Sequence, residues 1–469
     1  MLMNKAYKQT LLLFLLCLSI SGCTTMQLGD VFSGYAENMQ AVRAAQSVGN
    51  FNKAESLVAD LATGNNNYTL SLLEKGRLQF LANNWQESRN SFEKAYAVIE
   101  DERDKAKIRL SRGVENMAAL LSSDNAKGYQ IPVYEQSMLH TYQALNYLYL
   151  GNLEGALVEI RRGNQVTQSE VPQSTSTLEG TEGRYDKNKL SKLYPSMDGI
   201  IGQQKTSTHN AYTYYVSALL YEVAGQLNDA YIDYKKALAI APDNIYIQKD
   251  VMRLATKLQM SSDLAKYTEQ IGPYKSPADN TGDVVILLEQ GVVAAKNELG
   301  LNLPIYTSQY EPRFFSFSLP VYQDRVINTQ LFTVSLEQKS YSSQKLVTVA
   351  SLAAIDLKEQ IPELVTRQTL RLIAKEKLRS TMSRKGGDLG NILAAIYNMT
   401  SENADTRSWL TLPENVQIMR LSMPSGQQIL NLSGNNKTEK IELNVNAKRI
   451  TLIKVTAIGS QQNYQIINL

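Results

Sequence analysis

A frame of small and aromatic residues recurs along the first half of this chain at an interval of 34 residues, and that period limits the possible folds more than any other feature. Gly49, Phe51, Ala54, Val58 and Leu61 return 34 positions later as Asn83, Trp85, Ser88, Phe92 and Ala95, with Gly76 ahead of them. The frame fits again at Ala144, Tyr147, Gly151, Leu153, Ala156 and Ile160. A fourth copy holds Ala218, Tyr221, Gly225, Leu227, Ala230, Tyr234 and Ala237, closed by Pro242. Apolar residues at three- and four-residue spacing predict helices, and a fixed period of this length predicts stacked helix pairs. Small residues at a crossing let two helix axes approach to about 8–10 Å. The larger residues then fill the grooves between neighbouring pairs. Tyr142, Tyr147, Tyr149, Tyr212, Tyr214, Tyr215 and Tyr221 are therefore expected in the packing, with a binding stripe as the alternative.

The spacing of turn glycine, small crossing residue, aromatic, alanine and terminal proline resembles the tetratricopeptide repeat, and we expect such repeats over residues 35–272. Two stretches interrupt them. Glu102 to Gln136, with a helix from about Arg103 to Leu121, reads as a degenerate unit. Residues 169–210 form a loop far longer than ordinary helix connections, so it is either disordered or functional. Within it, Arg184-Tyr185-Asp186 and Tyr194-Pro195 are expected to dock on the repeats. Repeat arrays bind protein on a concave face. Glu159, Arg161 and Arg162, just before the loop, are candidates to clamp a partner; the plainer reading is a solvated helix end whose ion pairs are worth a few tenths of a kcal/mol.

The N-terminus reads as an export signal over residues 1–22, with Lys5 and Lys8 ahead of an apolar run from Leu11 to Ile20. That run is too short for a spanning helix, which needs about 20 apolar residues. Ile20-Ser21-Gly22-Cys23 resembles the bacterial lipobox, which implies a diacylglycerol thioether and an N-acyl chain on Cys23 and a lipidated tether over 23–34. No other cofactor is expected. Thr24, where aspartate favours retention at the inner membrane, points to the outer membrane with the protein facing the periplasm. The only other cysteine, Cys17, lies inside the signal, which leaves no disulfide framework. Loss of the two lysines lowers the formal charge from +3 to +1. A nucleic-acid binder would need a basic excess to replace phosphate counterions.

Past Gly272-Pro273-Tyr274 the character changes, with residues 273–281 as linker and 282–469 as a C-terminal α+β domain. Val284–Leu288 suits a buried strand, and Phe314–Leu319 a half-buried one. Leu346 to about Gln360 is expected as one helix, Pro362 to about Met382 as a second, and Leu389–Met399 as a third after Gly386-Gly387. Short β-rich runs follow at 416–421, 428–432, 440–445, 450–457 and 464–469. The expected fold is α+β and multidomain: an N-terminal all-α solenoid followed by strands with inserted helices.

Glu135 through Arg162, Glu289-Gln290-Gly291 with Lys296, and Ala404-Asp405-Thr406-Arg407-Ser408-Trp409 with Leu412-Pro413 resemble stretches of an uncharacterised family of bacterial tetratricopeptide-repeat lipoproteins. The resemblance implies an envelope location and a repeat-plus-β architecture, and brings no activity. Asp405, Arg407 and Trp409, with Asp356, Arg367, Arg371 and Lys375, are candidates for an anion site; alternatively Trp409 plugs the core while Asp405 and Arg407 fix a turn. His140 and His209 lack a serine or carboxylate constellation in sequence, and no zinc, EF-hand or P-loop pattern is present. The chain therefore reads as a membrane-anchored scaffold with an unidentified envelope protein as partner and no nucleic acid. The rival is an envelope glycan or peptidoglycan hydrolase or transferase using Asp356 or Asp405.

Overall fold

Left-handed turn residues mark the helix pairs of the repeat array. Gly49, Asn83, Gly151, Gly225 and Gln259 have φ of 76°, 66°, 75°, 74° and 55°. Each ends one helix and starts its partner. The computed structural model describes residues 34–111, 127–168, 185–306, 312–336, 339–399 and 403–469, the side chains of 106–111, 313 and 375–399 excepted. The export signal and Cys23 lie outside the described residues. After a short α1 (Tyr35–Asn38), the pairs are α2 (Gln40–Ser47) with α3 (Phe51–Leu57), α4 (Tyr68–Leu81) with α5 (Trp85–Ser111), and α6 (Val133–Tyr149) with α7 (Leu153–Gln168). Beyond α8 (Lys187–Leu193) and α9 (Asp198–Ile201) come α10 (Ala211–Val223) with α11 (Leu227–Ile240), and α12 (Ile245–Lys257) with α13 (Ser261–Ile271). The last pair extends the array by one unit past the four that the sequence frame picks out.

The small residues sit where the helices cross. Ala54, Ala95, Ala144, Ala156, Ala218, Ala230 and Ala237 are fully buried. Gly76 lies so close to Phe92 that a Cβ there would stand 2.7 Å from the ring. Trp85 stacks on Tyr149 with ring centroids 4.2 Å apart, which joins one pair to the next. Asn50, Asn210 and Asn244 cap α3, α10 and α12 with their side-chain oxygens, satisfying amides that have no partner within the helix.

The segment after the third pair docks differently from expectation. Tyr185 bridges to Ile305 and the Tyr194 hydroxyl donates to the Pro320 carbonyl at 2.7 Å, so this stretch lies on the β-rich half rather than on the repeats. Arg184 lies outside the described residues.

The β-rich half begins at β1 (Thr281–Gln290), followed by the hairpin β2 (Asn297–Tyr306) and β3 (Pro312–Val321). Three short strands come next: β4 (Thr333–Leu336), β5 (Lys339–Ser342) and β6 (Gln344–Thr348). A single helix, α14 (Val349–Met399), replaces the three expected there; Pro362 lies inside it and Leu346 belongs to β6. The chain ends with β7 (Asn415–Pro424), β8 (Gly426–Gly434), β9 (Lys437–Val445), β10 (Ile450–Ile458) and β11 (Gln461–Asn468). One sheet runs β11-β10-β1-β7-β6, with β1 and β10 parallel and the other pairs antiparallel. A second runs β5-β4-β8-β9.

Nearly every residue of α4, α6 and α10 is buried. A helix buried on all sides needs cover on both flanks. The second helices of the pairs supply one flank and the five-stranded sheet the other. One apolar core accordingly includes Leu70, Met138 and Tyr215 of the repeats together with Leu287, Ile418 and Leu452 of the sheet. Residues 273–281 join the halves in sequence without separating their cores.

Candidate functional site

Charged side chains are rare inside proteins unless paired, yet the seam between repeats and sheet is lined with them. Alternation along β1 turns Asp283, Val285, Leu287 and Glu289 toward the repeats, and register brings Arg420 of β7 and Lys454 of β10 to the same face. Two ionic clusters result.

In the first, Glu289 accepts from Lys454 at 3.0 Å, from the Tyr212 hydroxyl at 3.0 Å, and from Arg77 of α4. Arg77 also lies over the Tyr142 ring, 4.4 Å from its centroid. All three charges are buried. Burial opposes ionisation of Glu289, but Arg77 and Lys454 outweigh it and hold the carboxyl down to about 2. One positive charge is left in excess, and burial together with Arg77 pushes the Lys454 ammonium down to about 8 against the pull of Glu289.

The second cluster joins three elements of the repeats to two strands. Arg253 of α12 donates to Glu222 at 2.5 and 2.8 Å and to Asp250 at 2.9 Å. Arg420 reaches Glu222 at 3.0 and 3.1 Å, Asp250 at 3.0 Å, and Asp283 at 2.6 Å. Tyr215 donates to Asp250 at 2.9 Å and Tyr234 to Glu222 at 3.1 Å. Burial opposes the charge on Glu222, yet Arg420 and Arg253 keep it ionised well below the usual carboxylate range. A cleft of about 460 Å³ opens above this cluster, with Glu222, Arg253 and Asp283 in its lining and Lys257, Lys448 and Arg449 beside them.

A strap, residues 404–413, crosses the first repeats. Glu74 of α4 accepts the amides of Leu410 at 2.7 Å and Thr411 at 3.0 Å, and Glu135 of α6 accepts that of Trp409 at 2.9 Å. Hydroxyls of Tyr129 and Tyr134 also donate to Glu135. Burial raises Glu74 to about 7, with the Thr411 and Leu410 bonds opposing. Trp409 is fully buried against Phe92 and Tyr142, with ring centroids 5.7 and 6.0 Å away. Asp405 and Arg407 form a two-bond pair at 2.8 and 2.6 Å, and Arg407 continues to the Lys127 carbonyl at 2.9 Å. The turn-and-plug alternative for these three residues matches this geometry, whereas the anion site would need Arg407 turned outward.

The other candidates do not converge. Glu159 is buried and accepts from His140 Nδ1 at 2.8 Å and Arg162 at 2.7 Å, so neither a partner clamp nor a solvated helix end describes it. Arg162 lies over Tyr96, 4.6 Å from its centroid, and Arg161 is exposed. Asp356 is half-buried and accepts from Gln360 at 2.6 Å; burial raises its carboxyl to about 7, with Lys296 opposing. Arg367 pairs along α14 with Glu363 at 3.7 Å, and Arg371 is buried. Lys375 falls among the side chains not described. Among the described residues, no group of three or more His, Cys, Asp or Glu is placed to hold a metal, and no helix is long and apolar enough to cross a membrane.

Sequence reasoning singled out Glu135 and Glu289 only through family-like stretches, and passed over Glu74, Arg77, Glu222, Asp250, Arg253, Asp283, Arg420 and Lys454. A usable signal was there. Arg420 and Lys454 are cations inside otherwise apolar strand runs, and Glu74 with Arg77 interrupts an apolar helix.

Fold and site together define a helical-repeat array clasped around its own β-rich region. No known family profile matches the chain, and no curated protein does. Among solved structures it is similar to a crystal structure of MamA (11% identity, TM-score 0.28, covering 49% of this chain and 91% of that one). It is also similar to MamA 41-end from Desulfovibrio magneticus (11%, 0.28, 50% and 91%) and to the TPR2AB-domain:pHSP90 complex of yeast Sti1 (10%, 0.20, 50% and 88%). The repeat geometry of this chain stands on its own helix-pair contacts.

Proposed function

We propose that this chain is a lipid-anchored protein of the bacterial cell envelope that works as a non-enzymatic assembly factor. Cys23 carries the acyl chains, the mature chain faces the periplasm from the outer membrane, and its partner is another envelope protein. One observation carries the scaffold reading: the seam of α4, α6, α10 and α12 is committed to holding β1, β7, β10 and the 404–413 strap. The polar groups of greatest chemical potential are thus spent on architecture. A partner docks on the outer surface of the joined body, because the charged groups of the seam bind one another across it.

The test has two arms. Cys23→Ser should release the protein from membranes, and a variant that stays firmly bound would remove the anchor from the account. Crosslinking in cells from the exposed helices of the array should capture a defined envelope protein; a chain that captures none while folded would sink the scaffold.

The second reading, an envelope hydrolase, is favoured by Asp356, since a carboxyl raised to about 7 suits a general acid. Against it, Asp405 is tied to Arg407, and Glu135 already accepts three side-chain and backbone donors. Unchanged envelope glycan turnover in an Asp356→Asn strain would dispose of this reading.

A further inference from the structure

The five-stranded sheet ends on β11, which pairs with β10 alone. The Leu469 amide donates to the Ile450 carbonyl at 2.8 Å, one step beyond the Thr451–Asn468 pair. Residues of an antiparallel ladder bond across it in alternation. Asn463, Gln465 and Ile467 therefore turn their backbone groups toward β10, whereas Tyr464, Ile466 and Asn468 turn theirs outward, where no protein group meets them among the described residues. Tyr464 is 38% exposed, Asn468 is exposed and Ile466 half-buried. A cleft of about 400 Å³ runs beside this edge. Its lining takes in Asn463, Tyr464 and Gln465 in succession, whose side chains alternate between the two faces of the sheet, so the space they share lies off the edge rather than over either face. Helix turns at Gly49 and Asn83 wall one side of it and Glu439 of β9 the other.

We infer that β11 takes up an extended peptide of a partner protein as a further strand, with an acidic side chain of that peptide at the Leu469 end. Sheet edges are normally blunted by charge, proline or bulges. The edge β9 carries Lys437, Glu439, Lys440 and Glu442, and the edge β6 has a register shift after Lys345, whose carbonyl accepts from Asn244 at 3.1 Å. β11 has no charged residue, no proline and an unbroken register. Walls on both sides of the cleft admit one strand and exclude the edge of a second folded sheet, which selects a peptide over another copy of this chain. In strand addition the main chain supplies affinity and side-chain pockets supply specificity. Phe51, Leu81 and Ala82 make the repeat-side wall apolar. At the far end Lys257, Lys448 and Arg449 share a cleft with Leu469, and they outnumber Asp279 and the Leu469 carboxylate there, Glu222 and Asp283 being held by arginines. Antiparallel addition, the slightly more stable mode, puts the acidic residue at the N-terminal end of the peptide. The inference deepens the assembly-factor reading and rests on it only for the existence of a partner.

Fluorescence anisotropy of the full mature chain tests it, with a labelled peptide of two aspartates followed by alternating valine and threonine as the probe. Saturable binding is expected, together with slowed amide exchange at Tyr464, Ile466 and Asn468 and unchanged exchange at Asn463, Gln465 and Ile467. Tyr464→Pro removes an outward N–H, which proline can do on an edge strand without breaking the ladder to β10. It should weaken binding about tenfold at a near-normal melting temperature. Arg449→Glu should weaken binding of this peptide and strengthen that of its counterpart with two lysines, which keeps the test open if Tyr464→Pro folds poorly. No saturable binding would overturn the inference, as would binding indifferent to both substitutions or protection without the alternation. A concentration-dependent dimer lost in Tyr464→Pro would also overturn it and give the edge to a second copy. A folded chain that captures an envelope protein yet binds no peptide along β11 defeats this inference and leaves the assembly-factor reading standing.

Discussion

Arg420 concentrates the logic of the seam in one side chain. It is buried within 3.1 Å of Glu222, Asp250 and Asp283, and of these three carboxylates only Glu222 and Asp250 also meet Arg253. Arg420→Ala leaves uncompensated buried charge, for which about 3–5 kcal/mol is typical; urea unfolding should read that loss. Asp356 predicts a pH dependence. Burial lifts its carboxyl to about 7, so the folded chain keeps a proton that the unfolded chain releases near pH ~4. Stability from this group therefore falls as pH rises from about 4 to about 7, and Asp356→Asn should flatten that fall in melting curves. Glu289 acts with the opposite sign. Its carboxyl is held down to about 2, so its contribution is complete above the ordinary glutamate range and is lost as pH drops toward about 2.

At the scale of elements, the fifth helix pair shows how a repeat hides. Its turn residue, Gln259, lies 34 positions after Gly225 and adopts the same left-handed backbone, but a glutamine there breaks the pattern that the eye follows. A side chain at positive φ costs roughly 1–2 kcal/mol. Gln259→Gly should therefore stabilise the chain by up to about 1 kcal/mol once the entropy of glycine is deducted, a gain that denaturant titration can check. The opposite outcome would mean that the Gln259 side chain contributes contacts outweighing the strain. The helix α14 is the complementary case, where Pro362 and Gly386-Gly387 read as breaks and yet one helix runs through. Proline disfavours a helix interior locally, and tertiary packing of buried Ile361, Val365 and Thr369 outweighs that preference.

Across the whole molecule, a core shared by repeats and sheet predicts one unfolding event rather than two. Trp85 stands in the repeats and Trp409 in the strap, and they are the only tryptophans in the chain. Trp85→Phe and Trp409→Phe variants, each reporting from the remaining tryptophan, should give coincident denaturation midpoints. Separate midpoints would mean that the halves fold independently and that the seam is only a contact between them. Truncation after residue 272 should leave Arg77, Glu222 and Asp250 without their partners on the sheet and cost the repeats much of their stability.

The helix pairs, the position of the β-rich half and most of its strands were legible in the amino-acid order, because each rests on local periodicity: 3.6 for helices, 2 for strands, 34 for the repeat. The strands β4, β5 and β6 were not, since runs of four or five residues leave little room for alternation, and β2 was passed over although Leu299, Leu301, Leu303 and Ile305 alternate along it. The sequence by itself also set the spacing of alanines and aromatics that makes stacking possible. Only tertiary structure decided what the array holds. Lys454 and Arg420 lie far along the chain from Arg77 and Glu222, and no local period records that they share a face with Glu289 and Asp283. Pairing of buried charges depends on distance through space, which only the closed fold sets.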